Sequence, residues 1–374
     1  MKVLIAIPCL KTGGTEVQTL SLAKALLAAR HQVTTTCYFE YDAQMVARYE
    51  EAECKVVCLS PDGSRPQGVV STAWFLYKGF RRIVRNEHPD VAHVQYMAPG
   101  AIPIVILRLL GMKKIIATAH TAADIYPSLR LLHWITKHLL VAFTCITERA
   151  EQSFFGSSSL YSPATQLARK GNHFTIYNCL PDYINILSTD SQLSTLNSKL
   201  ITIGAVGRLE HIKGTDLILT AFAKIHVKHP NTRLLIVGDG SLRKEMEAQL
   251  PTNTQFVGTQ PQERLQDYYD RIDILLMPSR SEGFGLTALE GMARGCIVVA
   301  ANVGGLPEVV LDGKTGFLHR REDIDDITEK VSSLLDNPQR MTEMSVAAVQ
   351  RAKLFSKNHY NDQIKNLYNK LQPQ

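Results

Sequence analysis

The chain has 374 residues, 45% hydrophobic and 20% charged, an ordinary globular balance and enough length for two cores rather than one. Its net charge of +6 is carried by the first half: residues 1–180 hold 19 Lys and Arg against 12 Asp and Glu, the remainder 22 against 23. Seven cysteines without C-x-x-C spacing exclude a disulfide framework and fit a reducing compartment, and the longest apolar run, 101–107, contains Pro103 and is too short to span a bilayer.

Residues 3–7 lack a signal-peptide core and read as a first buried strand. A helix at 16–29 follows, with Val17, Leu20, Ala23, Leu26 and Leu27 on one face. Further strands are expected at 33–38, 55–59, 91–95, 115–118 and 143–146, with a helix over 71–86. The second half repeats the alternation, with strands at 202–206, 233–237, 254–257, 274–277, 297–300 and 316–318. Its helices are expected at 216–228, 242–249, 262–270, 286–294, 306–311 and 323–336. The fold class is therefore α/β, two doubly wound, Rossmann-like domains at 1–178 and 199–355. The irregular stretch 179–198 is the expected linker. The last segment, 356–374, places Tyr360, Ile364, Leu367, Tyr368 and Leu371 at helical spacing. It needs an apolar surface, and a return to the N-terminal domain fits the pattern as well as packing on its own.

Four glycine-marked turns follow strands. Lys11-Thr12-Gly13-Gly14-Thr15-Glu16 lets backbone approach a bulky anion, yet lacks the dinucleotide fingerprint, and a tight structural turn explains it equally well. Gly207-Arg208-Leu209 with Lys213-Gly214 brings two cations to a strand's carboxyl end, where such sheets bind ligands; solvated surface cations are the bland alternative. Val237-Gly238-Asp239-Gly240-Ser241 either borders a ligand or is simply a good turn. The fourth runs from Ser281 to Glu290. Glu282 lies in the loop, Phe284 and Gly285 lead into a helix beginning at Leu286 and Thr287, and Glu290 follows about one turn inside. A helix start favours an anion, and flanking carboxylates accept hydrogen bonds from hydroxyls. A sugar–diphosphate–nucleoside has that chemistry. An exposed Glu290 on an ordinary amphipathic helix is the alternative. His120, just past a buried strand, is a further candidate, although a lone His is more often structural; His93 reads as core.

Taken together, the motifs resemble the retaining, nucleotide-sugar-dependent glycosyltransferases of family four, whose GT-B architecture has two Rossmann-like domains facing across a cleft. The resemblance is carried by Gly13-Gly14-x-Glu16, Gly207-Arg208-Leu209 with Lys213-Gly214, Gly238-x-Gly240, and the pair Glu282 and Glu290. Gly304-Gly305-Leu306-Pro307-Glu308 and Asp312-Gly313-x-Thr315-Gly316-Phe317 complete it. It implies that Arg208 and Lys213 bind the donor diphosphate and stabilise the leaving group. It also implies that Glu282 meets the sugar hydroxyls, Glu290 the ribose, and Gly285, Leu286 and Thr287 the diphosphate by backbone contact, with Phe284 in the same donor-binding loop. Gly13, Gly14 and Gly238 would border the donor, Val257 would lie beside the base, and His120 near the transferred sugar. Two departures are Asn178-Cys179 where family members often have Asn-Gly, and Thr121 after His120.

The resemblance implies a UDP- or GDP-sugar as substrate, no cofactor and no metal. The one Asp-x-Asp, Asp323-Ile324-Asp325, reads as a helix cap. Without a carboxylate assigned beneath the anomeric carbon, a front-face mechanism fits, the leaving phosphate accepting the acceptor's proton. The acceptor is expected to be a glycan or lipid-linked precursor in surface polysaccharide synthesis. Peripheral contact with the inner face of the membrane would use the basic stretches 78–85 and 129–140 of an otherwise cytoplasmic protein, against an ordinary core-packed helix. No nucleic-acid partner is expected. A GT-B epimerase or phosphorylase and a non-catalytic nucleotide-sugar-binding subunit are the alternatives.

Overall fold

The computed structural model describes residues 1–95, 101–121, 128–188 and 200–372. They form two compact units, Met1–Cys179 with Lys357–Gln374, and Leu180–Ser356.

The first unit alternates β1 (Lys2–Ile7), α1 (Gly14–Ala28), β2 (Gln32–Cys37), α2 (Ala43–Glu51), β3 (Lys55–Cys58), α3 (Val69–Glu87), β4 (Val91–Gln95), α4 (Ile102–Leu109), β5 (Ile115–Ala119), α5 (Leu129–Leu139), β6 (Ala142–Cys145), α6 (Glu148–Phe155) and β7 (Asn172–Thr175). Its strands form one parallel sheet in the order β3-β2-β1-β4-β5-β6-β7, reversing direction between β1 and β4. The apolar central strands are buried on both faces, as crossover helices on either side require. Asp42, Ser128 and Thr147 cap α2, α5 and α6 through their side chains.

Strand β7, Asn-His-Phe-Thr, escaped the sequence reading because it is short and half polar. Glu151, wholly buried, holds it by accepting from Thr175 Oγ1 and pairing with His173 Nδ1, both at 2.7 Å. The apolar run at 101–107 forms most of α4, and the stretch 129–140 forms α5.

The second unit contains β8 (Ile201–Val206), α7 (Thr215–Lys228), β9 (Thr232–Val237), α8 (Arg243–Glu247), β10 (Thr254–Gly258), α9 (Leu265–Tyr269), β11 (Ile274–Met277), α10 (Leu286–Ala293), β12 (Ile297–Ala301), α11 (Leu306–Val309), β13 (Gly316–His319), α12 (Ile324–Leu335) and α13 (Pro338–Lys353). Its parallel order, β10-β9-β8-β11-β12-β13, reverses between β8 and β11. Helix α13, absent from the sequence reading, packs on α10 and is capped by Asn337, which accepts from Arg340 N at 3.0 Å. Asp323 caps α12, accepting from Asp326 N at 2.9 Å.

The last helix, α14 (Lys357–Lys370), packs on α1 within the first unit. Tyr368 OH lies 2.9 Å from His93 Nδ1, and Tyr161 OH donates to Asn366 at 2.8 Å. Residues 180–188, at the start of the expected linker, pack instead as part of the second unit. Leu187 N donates to Ala293 O at 3.0 Å, and Arg294 Nη1 to Asn185 O at 2.7 Å. Residues 189–198 of that linker lie outside the described residues.

Candidate functional site

In the second unit the loops after β8 and β11 meet where the strand order reverses, the place at which doubly wound sheets bind ligands. Arg208 is exposed at the end of β8, and no carboxylate among the described residues forms an ion pair with it. Lys213 ends the 3-10 turn His211–Lys213, and its Nζ pairs with Glu282 Oε2 at 2.6 Å. Two residues 69 apart in sequence thus share one point, at the mouth of α10.

Gly304 fixes Glu282 from below. Its φ is +54, and a Cβ there would collide with the Glu282 carbonyl; Gly305 N–H donates to that same carbonyl at 3.3 Å. The Gly-Gly pair therefore exists to let the backbone of the β12–α11 loop seat the glutamate-bearing loop.

Gly285 opens α10 and offers no side chain to cap it, so Leu286 and Thr287 begin a helix whose first N–H groups lack intrahelical acceptors. Phe284 is different. Its ring is buried, edge-on to Phe355 with centroids 5.8 Å apart, and only its backbone can face a ligand. Gly238, past the end of β9, donates its N–H to Gly258 O at 2.9 Å. Val257 falls at a register shift between Phe256 and Gly258 on edge strand β10.

Glu290 takes no part in the ion pair. It is buried, and each oxygen accepts a phenol hydroxyl: Tyr183 OH at 2.9 Å and Tyr269 OH at 2.6 Å. Ribose hydroxyls would join these donors on the remaining lone pairs. Burial pushes the Glu290 carboxyl up to about 7, against the pull of the two phenols. Since the carboxyl holds its proton more tightly in the folded chain than at its ordinary 4.5, the Glu290 contribution to stability is expected to fall as pH rises from 4.5 to 7, by about 3 kcal/mol, and then to level, while His93 and His120, held neutral by burial, contribute in the opposite direction up to their ordinary 6.5. Denaturant unfolding between pH 4.5 and 8 measures the sum, and Glu290→Gln, which removes the opposing contribution, should make stability rise more steeply with pH over that window than in the parent protein.

In the first unit Gly13 precedes α1 and Gly14 is its first residue. Glu16 is buried beneath the turn, accepting from Cys9 Sγ at 3.2 Å. His120, past β5, is buried in a cavity of about 20 Å³, room for one water, lined among others by Gln18, His93, Gln95, Asn178 and Tyr360. Its Nε2 lies 2.8 Å from Gln95 Oε1. Burial lowers its pKa to about 3, so the imidazole is neutral at neutral pH. His93, likewise pushed down to about 3 chiefly by burial, spans Tyr368 OH and Thr118 Oγ1 (2.7 Å). Among the described residues no three His, Cys, Asp or Glu side chains converge as a metal site would.

Tyr183, Tyr269 and Arg280 were not singled out from sequence. The first two announce themselves only through Glu290. Arg280, in Ser279-Arg280-Ser281, reads locally as a surface cation.

The family model described as Glycosyltransferase Family 4 matches residues 12–155, and the model described as Glycosyl transferases group 1 matches 188–353, so the two span most of the chain. The chain belongs to glycosyltransferase family four. It is similar to the D-inositol 3-phosphate glycosyltransferase of Corynebacterium aurimucosum, 29% identical over 75% of this chain and 71% of the relative. To that of Segniliparus rotundus it is 35% identical over 71% and 63%. In several other relatives of that name the match spans between 38% and 42% of their length. The crystal structure of Anabaena HepE in complex with UDP superimposes with a TM-score of 0.79 at 18% identity, over 99% of this chain and 100% of that one. The two parallel sheets are those of the GT-B fold. No described helix is long and apolar enough to cross a membrane.

Proposed function

We propose that this family-four glycosyltransferase transfers a sugar, with retention and without a metal ion, from a UDP- or GDP-sugar to a hydroxyl of a glycan or lipid-linked acceptor. The observation that carries the reading is the Lys213–Glu282 pair at 2.6 Å beside the start of α10. It sets a cation and a carboxylate where a diphosphate and a sugar hydroxyl would be neighbours. Lys213 and Arg208 neutralise the charge that grows on the leaving diphosphate, aided by the first turn of α10. Glu282 orients the sugar, Glu290 with Tyr183 and Tyr269 receives the ribose, and Val257 and Gly238 border the nucleoside. The departing phosphate takes the acceptor's proton. HepE, to which the fold is similar, binds UDP in its crystal.

A thermal-shift series with UDP, GDP and ADP in EDTA tests the donor reading. UDP or GDP at 100 times its Kd is expected to stabilise the protein by about 2.7 kcal/mol, while Lys213→Ala removes most of the shift. No shift with any nucleotide would count against the site. Consumption of donor without a transferred product would favour the epimerase or phosphorylase alternative.

Membrane contact is part of the proposal. Helix α3 packs beside α4, and α4 beside α5. Together they carry Lys78, Arg81, Arg82, Arg85, Arg108, Arg130 and Lys137 against one carboxylate, Glu87, which Lys55 engages at 2.7 Å. Val70, Trp74, Leu109 and Trp134 stand exposed on the same helices, a mixture suited to an anionic lipid surface. The protein is expected to float with phosphatidylglycerol vesicles at low salt, and Arg81→Glu with Arg82→Glu to abolish it.

A further inference from the structure

The cation set against the leaving diphosphate rides on a very small element. Lys213 is the third residue of a one-turn 3-10 helix, and a turn of that length cannot hold itself in place. Arg280 supplies the missing support. Its backbone N–H donates to Ile212 O at 2.9 Å, and its Nη1 to His211 O at 2.6 Å. The same guanidinium grips both oxygens of Asp216, in the first turn of α7, at 2.7 Å each, and its Nε donates to Glu322 at 2.6 Å. Glu322 holds a left-handed φ of +60, a conformation that persists in a glutamate where its surroundings over-determine it. The loops after β8, β11 and β13 and the start of α7 thus converge on one side chain that is 10% exposed.

We propose that Arg280 is the positioning residue for Lys213, fixing where the ammonium meets Glu282 and, through it, the donor. This rests on the reading of Lys213 as a diphosphate cation. Arg280 is not itself an anion binder: Asp216 and Glu322 neutralise it at hydrogen-bond distance, whereas Arg208 is exposed and has only the longer-range pull of Glu210 beside it. A lysine is a poor replacement, because an ammonium offers three donors from one point, whereas the guanidinium spreads its donors over four acceptor atoms, His211 O, both oxygens of Asp216 and Glu322 Oε1.

The test compares Arg280→Lys, Lys213→Ala and the double variant, by donor kcat/KM and by calorimetric affinity for the product nucleoside diphosphate. Arg280→Lys alone is expected to lower kcat/KM about 10- to 100-fold and to weaken nucleotide binding. In the Lys213→Ala background it should change neither further, because its effect runs through Lys213. Equal losses in both backgrounds, or full activity of Arg280→Lys, would overturn the proposal. Should Arg280→Lys fail to fold, Asp216→Asn loosens the same fork at constant volume and is expected to act in the same direction; an unchanged rate overturns the proposal there too. If Lys213→Ala kept full turnover, the reading of Lys213 would be wrong. If Lys213→Ala is inactive and Arg280→Lys is not, only the role of Arg280 falls.

Discussion

Replacing Lys213 by alanine is expected to cut turnover by about 100- to 1,000-fold while leaving the fold nearly untouched. The rate loss follows from removing a preorganised cation from the point where charge develops on the leaving diphosphate. The small structural cost follows from its setting. The Lys213 side chain is 30% exposed, so water can take its place, but the Glu282 carboxylate left behind is only 14% exposed, and the structural cost is about 1–2 kcal/mol, small beside the loss of rate. Steady-state kinetics beside a denaturation curve separates the two effects. Unchanged turnover would remove the diphosphate site from this position, and parallel losses of rate and stability would make the lysine a structural residue instead.

The second large effect is expected at Gly304. Gly304→Val must place a branched side chain at a left-handed φ and drive its Cβ into the Glu282 carbonyl. The backbone penalty and the clash together should cost about 2–4 kcal/mol. Because the atom struck belongs to Glu282, the glutamate cannot keep its place against Lys213, and activity should fall more steeply than stability. Gly313 provides the control. It also has a positive φ, +71, but a Cβ there meets nothing within 4 Å. Gly313→Ala should therefore lose about 1–2 kcal/mol at most and retain turnover. If both variants kept full activity, the Gly-Gly loop would not be what seats Glu282.

What the sequence made legible divides along a physical line. The parallel strands announce themselves as β-branched runs because both of their faces are buried, and the strand-end turns as glycines because backbone meets backbone there. Lys213 and Glu282 were each expected to serve the donor, and they meet at the switch point of the sheet. Contacts made at long sequence range left no local trace. Glu290 was read as a residue for ribose, but nothing near it signals that Tyr183 and Tyr269 already occupy both of its oxygens, one of them 107 residues away. Arg280 passes for a surface charge until Asp216 and Glu322, 64 and 42 residues off, are seen on its guanidinium. Phe284 stands among the donor-loop residues by position, yet its ring belongs to the core beside Phe355. Strand β7 has too few apolar residues to declare itself, and depends on a buried carboxylate from α6.

The packing of α14 on α1 has a consequence for synthesis. The second unit is one continuous stretch, whereas the first is assembled from both ends of the chain. Ile364, Leu367 and Tyr368 are fully buried there, and the Tyr368 hydroxyl lies beside His93. On a ribosome, the apolar surface of α1 must wait for residues that emerge after the entire second unit. At roughly 5–20 residues per second, the delay is about 10–40 s. During that interval the nascent first unit leaves bare the apolar face of α1 that α14, made only after the second unit, goes on to cover.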